Sequence, residues 1–113
     1  MQITRFYDRL PTRECLQGDT LPIFQIFIDN INSLNECTMQ LILEDQKVLG
    51  VAKVIKNCTF SAENSCFETQ LTSAETSNLN GIYNMHFRLK DSSGLSYRKI
   101  AGILIVKRAV QGA

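Results

Sequence analysis

The sequence has 113 residues, 44% of them hydrophobic and 20% charged, which is typical of one ordinary globular domain covering residues 1–113. Its 12 Lys and Arg residues against 11 Asp and Glu residues leave a net charge of +1. Such a balance gives no sustained positive field for phosphate backbones or anionic lipid. We therefore expect neither nucleic acid nor a membrane as a partner.

The N-terminal residues and the cysteines indicate where the protein is made. Charges interrupt the first ten residues, where a signal peptide needs an apolar core, so we expect synthesis in a cytoplasm without a signal peptide. The four cysteines form no CxxC pair and have no histidine at zinc-site spacing. We expect reduced thiols, no metal and no cofactor, while Cys58 and Cys66 leave open a disulfide across a hairpin.

In chain order, the first segment is ambiguous and the second is a strand. Apolar residues at 3, 6, 7 and 10 have helical spacing, but the segment is short and ends at Pro11, so we predict an irregular strand. Gly18 and Asp19 indicate a turn. Residues 20–29 form the next predicted strand, which is apolar on both faces and places Ile23 and Phe27 on one side. Such a strand is central in its sheet or covered by a partner.

Alternating polar and apolar residues predict three strands in the middle of the chain. These are residues 38–44, residues 48–55 after a hairpin break, and residues 67–71. Thr72 and Glu75 then have the spacing of a helix capping box, although the segment has room for only one helical turn.

Residues 79–89 carry the clearest strand pattern. Asn80 and Gly81 indicate a turn, and every second residue from Tyr83 to Leu89 is apolar. Gly81 followed by Tyr83 at the start of a strand is typical of the tyrosine corner of Greek-key sandwiches. We predict that the Tyr83 hydroxyl bonds to backbone within residues 72–78, because a buried phenol needs a partner.

Residues 95–107 form the last predicted strand, after a turn ending at Gly94, and they are apolar on both faces. We assign Ile103 and Ile105 to one face and Ile100, Leu104 and Val106 to the other. The whole pattern predicts an all-β fold, an antiparallel Ig-like β-sandwich of about seven strands, with a small closed barrel as the alternative.

Few residues offer catalytic or metal-binding chemistry. His86 is the only histidine and lies on the polar side of its strand. The sequence therefore offers only one candidate for the histidine base of a catalytic triad. Asp29, Glu44 and Asp45 lack the spacing of a calcium loop. We therefore predict a protein that is not an enzyme and has no catalytic or metal site.

The order of several short motifs resembles a known family. The motifs are Gly18-Asp19-Thr20 before an apolar strand, the segments LTSAET at 71–76 and LNGIY at 79–83, and a closing ILIV strand at 103–106. Together they resemble the N-terminal Ig-like domain of phage baseplate upper proteins from viruses of Gram-positive bacteria. The resemblance implies a virion structural module, made in a bacterial cytoplasm, that docks to other tail or baseplate proteins and forms oligomers.

An alternative function is a carbohydrate-binding or adhesive Ig-like domain. Sugar sites usually present exposed aromatic residues, often Trp, and this sequence has no Trp. The strands with apolar residues on both faces favour the docking module instead, because a sandwich covers only its inner faces. The predicted interface consists of Ile23, Phe27, Ile100, Leu104 and Val106.

Overall fold

The computed structural model describes residues 12–28, 34–94 and 96–108, with residues 34 and 97–101 described by their backbone alone. The opening strand predicted within residues 1–10 lies outside this range. The described part is an all-β sandwich. Its strands are β1 (Arg13–Leu16), β2 (Phe24–Ile26), β3 (Thr38–Asp45), β4 (Ala52–Asn57), β5 (Thr59–Ser61), β6 (Cys66–Thr69), β7 (Gly81–Lys90) and β8 (Ser96–Lys107).

Two sheets form the sandwich. The larger has the order β1-β8-β7-β3-β4, and the smaller has the order β2-β6-β5. With β2 to β8 as strands B, C, C′, D, E, F and G, the sheets read B-E-D and G-F-C-C′, which is the arrangement of an Ig-type sandwich. The predicted Ig-like sandwich is confirmed.

Two details differ from the prediction. The described residues contain eight strands rather than about seven, because the short strands β1 and β5 lack a clear alternating pattern. The larger sheet is also mixed rather than antiparallel, because β1 pairs with β8 in parallel. All other pairs among the described strands are antiparallel. No hairpin joins β1 to β8, so chain connectivity does not impose an antiparallel direction on them.

Two strands also begin later in the chain than predicted. The strand expected over residues 20–29 is regular only at Phe24–Ile26, because Pro22 has no N–H to donate to a ladder. The strand expected over residues 48–55 begins at Ala52. The preceding turn requires Gly50, whose φ is +86°, a value that side-chain-bearing residues rarely adopt.

The core lies between the sheets. Met39, Leu41 and Leu43 of β3 are fully buried, and the alternate residues of β7 lie beside them across the antiparallel ladder. The smaller sheet contributes Phe24 and Phe67, each 1% exposed. Burying each of these side chains stabilises the fold by roughly 1.5–3 kcal/mol before the entropy of ordering is subtracted.

The predicted tyrosine corner is present at the start of β7. Tyr83 is 2% exposed; its hydroxyl accepts a hydrogen bond from the Asn80 N–H at 2.9 Å and donates one to the Asn80 carbonyl at 3.2 Å. The prediction of a partner within residues 72–78 was wrong, because the turn that ends at Gly81 brings Asn80 itself under the phenol.

The connection before this corner is a single helical turn, α1 (Ser73–Thr76), as the capping-box pattern predicts. The Thr72 hydroxyl accepts from the Glu75 N–H at 3.3 Å, and the Glu75 carboxylate accepts from the Thr72 N–H at 2.9 Å. Thr76 then joins α1 to the turn after β1, since its hydroxyl donates to the Asp19 carbonyl at 2.7 Å. These contacts fix the corner against β1.

Candidate interaction surface

Two of the five predicted interface residues lie in the core. Leu104 is 0% exposed and Val106 is 1% exposed. Leu104 is paired with Tyr83 in the ladder, so it points to the inner side with the tyrosine. The prediction assigned the two faces of β8 the wrong way round, and strict alternation also fails at Ala101, which the register shift leaves without a ladder partner.

The other three predicted residues do not form a single surface. Ile23 and Phe27 are half-buried at either side of β2 in the smaller sheet. Ile100 is a position of β8 opposite His86 in the larger sheet, and its side chain lies outside the described part of the structure. The five predicted residues therefore do not form one exposed patch, because two are buried in the core and the other three are divided between the two sheets.

The structure instead presents a different apolar surface, on the outer side of the larger sheet. We call it the outer sheet face. It contains Glu14, Leu16, Gln40, Ile42, Glu44, Ala52, Ile55, Asn57, Ile82, Asn84, His86, Arg88, Lys90, Ile103, Ile105 and Lys107. Five of these sixteen residues are isoleucines, and large apolar side chains grouped on a sheet surface open to water are typical of an interaction surface.

The isoleucines form rows across neighbouring strands. Ile55 is 60% exposed and pairs with Ile42, while Ile82 is 43% exposed and pairs with Ile105. The sequence contained a signal for this surface, because the two apolar sides of residues 95–107 imply that one of them faces outward. Deciding which one required the register with Tyr83.

An apolar rim borders the outer sheet face at the β3–β4 turn. Val48, Leu49 and Val51 are 52%, 71% and 56% exposed. The sequence pattern placed these residues in a strand, where half of them would be buried. The Gly50 turn leaves them in solvent instead.

A polar network lies between the isoleucine rows and centres on Glu44. Its carboxylate accepts hydrogen bonds from the Gly50 N–H at 2.7 Å, from the Asn84 amide at 3.1 Å and from His86 Nε2 at 3.0 Å. These bonds, with that from Gly50 the largest contributor, lower the pKa of Glu44 from 4.5 to about 2. The Glu44 carboxylate is therefore charged at neutral pH and is stabilised by three hydrogen bonds from its own chain.

A shallow trough of about 230 Å³ crosses the outer sheet face. Glu44 and His86 of this network line it, together with Ile55 and Arg88. The Nδ1 atom of His86 is buried and has no hydrogen-bond partner among the described side chains and backbone. A buried polar atom of this kind is costly unless a partner is supplied from elsewhere.

A second concavity, of about 490 Å³, opens at the end of the sandwich where β4 crosses to β5. Met39, Phe60 and Phe67 line its apolar part, and Cys37 and Cys58 also reach it. Burial raises the pKa of both thiols, that of Cys58 to about 12. They are therefore poor nucleophiles at neutral pH.

Within residues 12–28, 34–94 and 96–108, there is no group of three or more His, Cys, Asp or Glu side chains placed to hold a metal ion. The same residues include no helix long and apolar enough to cross a membrane.

Comparison with known protein families and with curated proteins found no match for this sequence.

Proposed function

We propose that this chain is a non-enzymatic structural module of a phage or prophage tail or baseplate, which docks to other virion proteins. The observation that carries the proposal is the outer sheet face together with its apolar rim. Apolar side chains that remain exposed beside a fully packed core are typical of a surface that a protein partner covers.

The order of the motifs supports the virion setting. LTSAET at 71–76 and LNGIY at 79–83 carry the resemblance to baseplate Ig-like domains. In the fold they form the capped turn α1 and the tyrosine corner, which are structural features that hold the sandwich together. The resemblance therefore concerns how the module is built, and the exposed surface concerns how it docks.

The composition of the surface favours a protein partner over a sugar. Among the residues that the structure describes, the large hydrophobic side chains with high exposure are all Leu, Val or Ile. Sugar-binding surfaces usually stack the pyranose ring on an aromatic side chain. Aliphatic rows instead suit the flat packing of another protein surface.

The direct test is to ask whether the protein is part of a particle. Particles induced from the producing strain are purified on a density gradient, and quantitative mass spectrometry measures the chain relative to the tail proteins. We expect a fixed stoichiometric ratio that persists through repeated gradients. Recovery of the chain in the cell-wall fraction, with none in the particles, contradicts the proposal and favours the adhesive alternative.

A further inference from the structure

Strand β8 is built to be covered on both sides. Leu104 and Val106 fill the core on the inner side, while Ile103 and Ile105 are only half-buried on the outer side. A strand that is apolar on both faces is typical of a sheet packed between two layers. The smaller sheet supplies one layer, so the second must come from outside the described sandwich.

The size of the outer sheet face fits a stable protein interface. Strand β3 has 8 residues and the sheet has 5 strands, so the face measures roughly 27 Å by 24 Å, or about 650 Å². A standard interface buries about 800 Å² on each partner. The rim at Val48 and Val51 extends the surface towards that value.

Burying this face costs little in lost hydration, because most of its polar groups are already paired. Gln40 donates to the Asn57 side chain at 3.1 Å, and Gln46 donates to Asn84 at 2.9 Å. Asn84 in turn donates to Glu44. Polar groups that keep their hydrogen bonds can be covered without the penalty of an unsatisfied donor or acceptor.

The charges on the face are arranged in a way that selects the partner. Arg88 lies four residues from Asn84 along β7, and Asn84 is paired with Glu44. Arg88 and Glu44 are therefore about 14 Å apart along the strands. The row containing Ile55, Ile42 and His86 lies midway between them.

We propose that a second copy of this chain covers the outer sheet face, with a two-fold axis running across the strands through the Ile55–Ile42–His86 row. This rotation reverses the strand direction of the second copy. Arg88 of each copy then lies over Asn84 of the other, one strand spacing of about 5 Å from Glu44. A guanidinium can reach across that spacing, so the two surfaces are complementary in charge. A two-fold axis along the strands would instead place the two Arg88 side chains in the same row.

The inference rests on the proposed function in one respect, because it names the partner of the docking surface. The two are separable by experiment. A chain that is found in particles but stays monomeric in solution overturns the dimer alone. A chain that dimerises but is absent from particles overturns the virion role alone.

Cross-linking tests the position of the axis. A residue on a two-fold axis meets its own copy, so Ile55→Cys is expected to give covalent dimers with a short bis-maleimide at micromolar protein concentration. Glu63→Cys is the matched control, because Glu63 is also exposed but lies in the β5–β6 turn of the smaller sheet, away from the outer sheet face. Equal cross-linking of both variants, or of neither, overturns the proposed arrangement.

Sedimentation velocity tests the surface itself. The wild type is expected to dimerise with a micromolar dissociation constant, and Ile55→Glu and Arg88→Glu are each expected to weaken it by about tenfold or more. Ala62→Glu adds the same charge at an exposed position in the β5–β6 turn of the smaller sheet, so it is expected to leave the constant unchanged. Thermal unfolding confirms that each variant is folded. A monomeric wild type at 100 micromolar, or variants that dimerise as well as the wild type, overturns the proposal.

Discussion

At the residue scale, Tyr83 shows how one polar group can hold a corner of the sandwich. Its hydroxyl makes two hydrogen bonds to the backbone of Asn80 in a site that is almost closed to water. Without the hydroxyl, the partly buried N–H and carbonyl of Asn80 lose this partner. A buried donor or acceptor without a partner costs about 1–3 kcal/mol.

We therefore expect Tyr83→Phe to lower the free energy of unfolding by about 1–3 kcal/mol. The change keeps the ring in the core, so packing is conserved and the loss reports the hydrogen bonds. Denaturant titration gives the value from the shift in the midpoint at constant slope. An unchanged midpoint would show that the corner adds nothing to stability.

Glu44 makes a second residue-scale contribution, and it depends on pH. Its folded pKa of about 2 lies below the ordinary value of 4.5. The charged carboxylate therefore stabilises the fold above pH 4.5, and this contribution is lost as the pH falls from 4.5 towards 2.

Glu44→Gln is expected to lower stability at pH 7 and to lose most of that effect near pH 2. Denaturant midpoints of the wild type and the variant, measured across this range, give the comparison. Glu63→Gln, at an exposed position in the β5–β6 turn, serves as the control and should run parallel to the wild type. If the gap between Glu44→Gln and the wild type is the same at both pH values, the carboxylate is not the source of the effect.

At the element scale, prediction from sequence succeeded where one face of a strand is apolar and failed where both are. Strands β3 and β7 have alternating patterns, so their inner residues were identified correctly. In β8 both faces are apolar, and alternation alone cannot say which points inward. The pairing of Leu104 with Tyr83 decides it, and that long-range contact is absent from any local pattern.

Two features outside the predicted interface were missed for a related reason. The β3–β4 turn was assigned to a strand because Val48 and Val51 favour strands, but the positive φ of Gly50 closes the turn there. The network of Glu44, Asn84 and His86 was also missed. Its members lie on two strands, and only the β3–β7 register brings them together.

The two sides of β8 should respond differently to truncation. Leu104→Ala is expected to cost about 2–5 kcal/mol, because it leaves a cavity in a closed core. Ile103→Ala removes a half-buried side chain and should cost clearly less in the monomer. Urea midpoints measured below the dissociation constant for self-association compare the two. A larger cost for Ile103→Ala would mean that the inner and outer sides of β8 are reversed.

At the scale of the whole molecule, stability comes from packing between the two sheets rather than from covalent cross-links. The buried hydrophobic residues include side chains from β1, β2, β3, β6, β7 and β8. A chain of 113 residues is long enough to bury about two-thirds of its unfolded surface. The four cysteines are free thiols, and Cys15, Cys37 and Cys66 are buried within this packing.

We expect all four thiols to be protected in the folded protein and reduced throughout. Burial raises the pKa of each of them, so the reactive thiolate is scarce at neutral pH. Alkylation of the native protein should be slow, and alkylation after unfolding without reductant should label all four, as counted by mass spectrometry. Because the four thiols form no disulfide, reductant should leave the unfolding midpoint unchanged. A structural disulfide typically contributes about 2–4 kcal/mol, so its reduction would lower the midpoint measurably. A lower midpoint in reductant, or fewer than four labelled cysteines, would establish a bridge such as Cys58–Cys66 and contradict the free thiols.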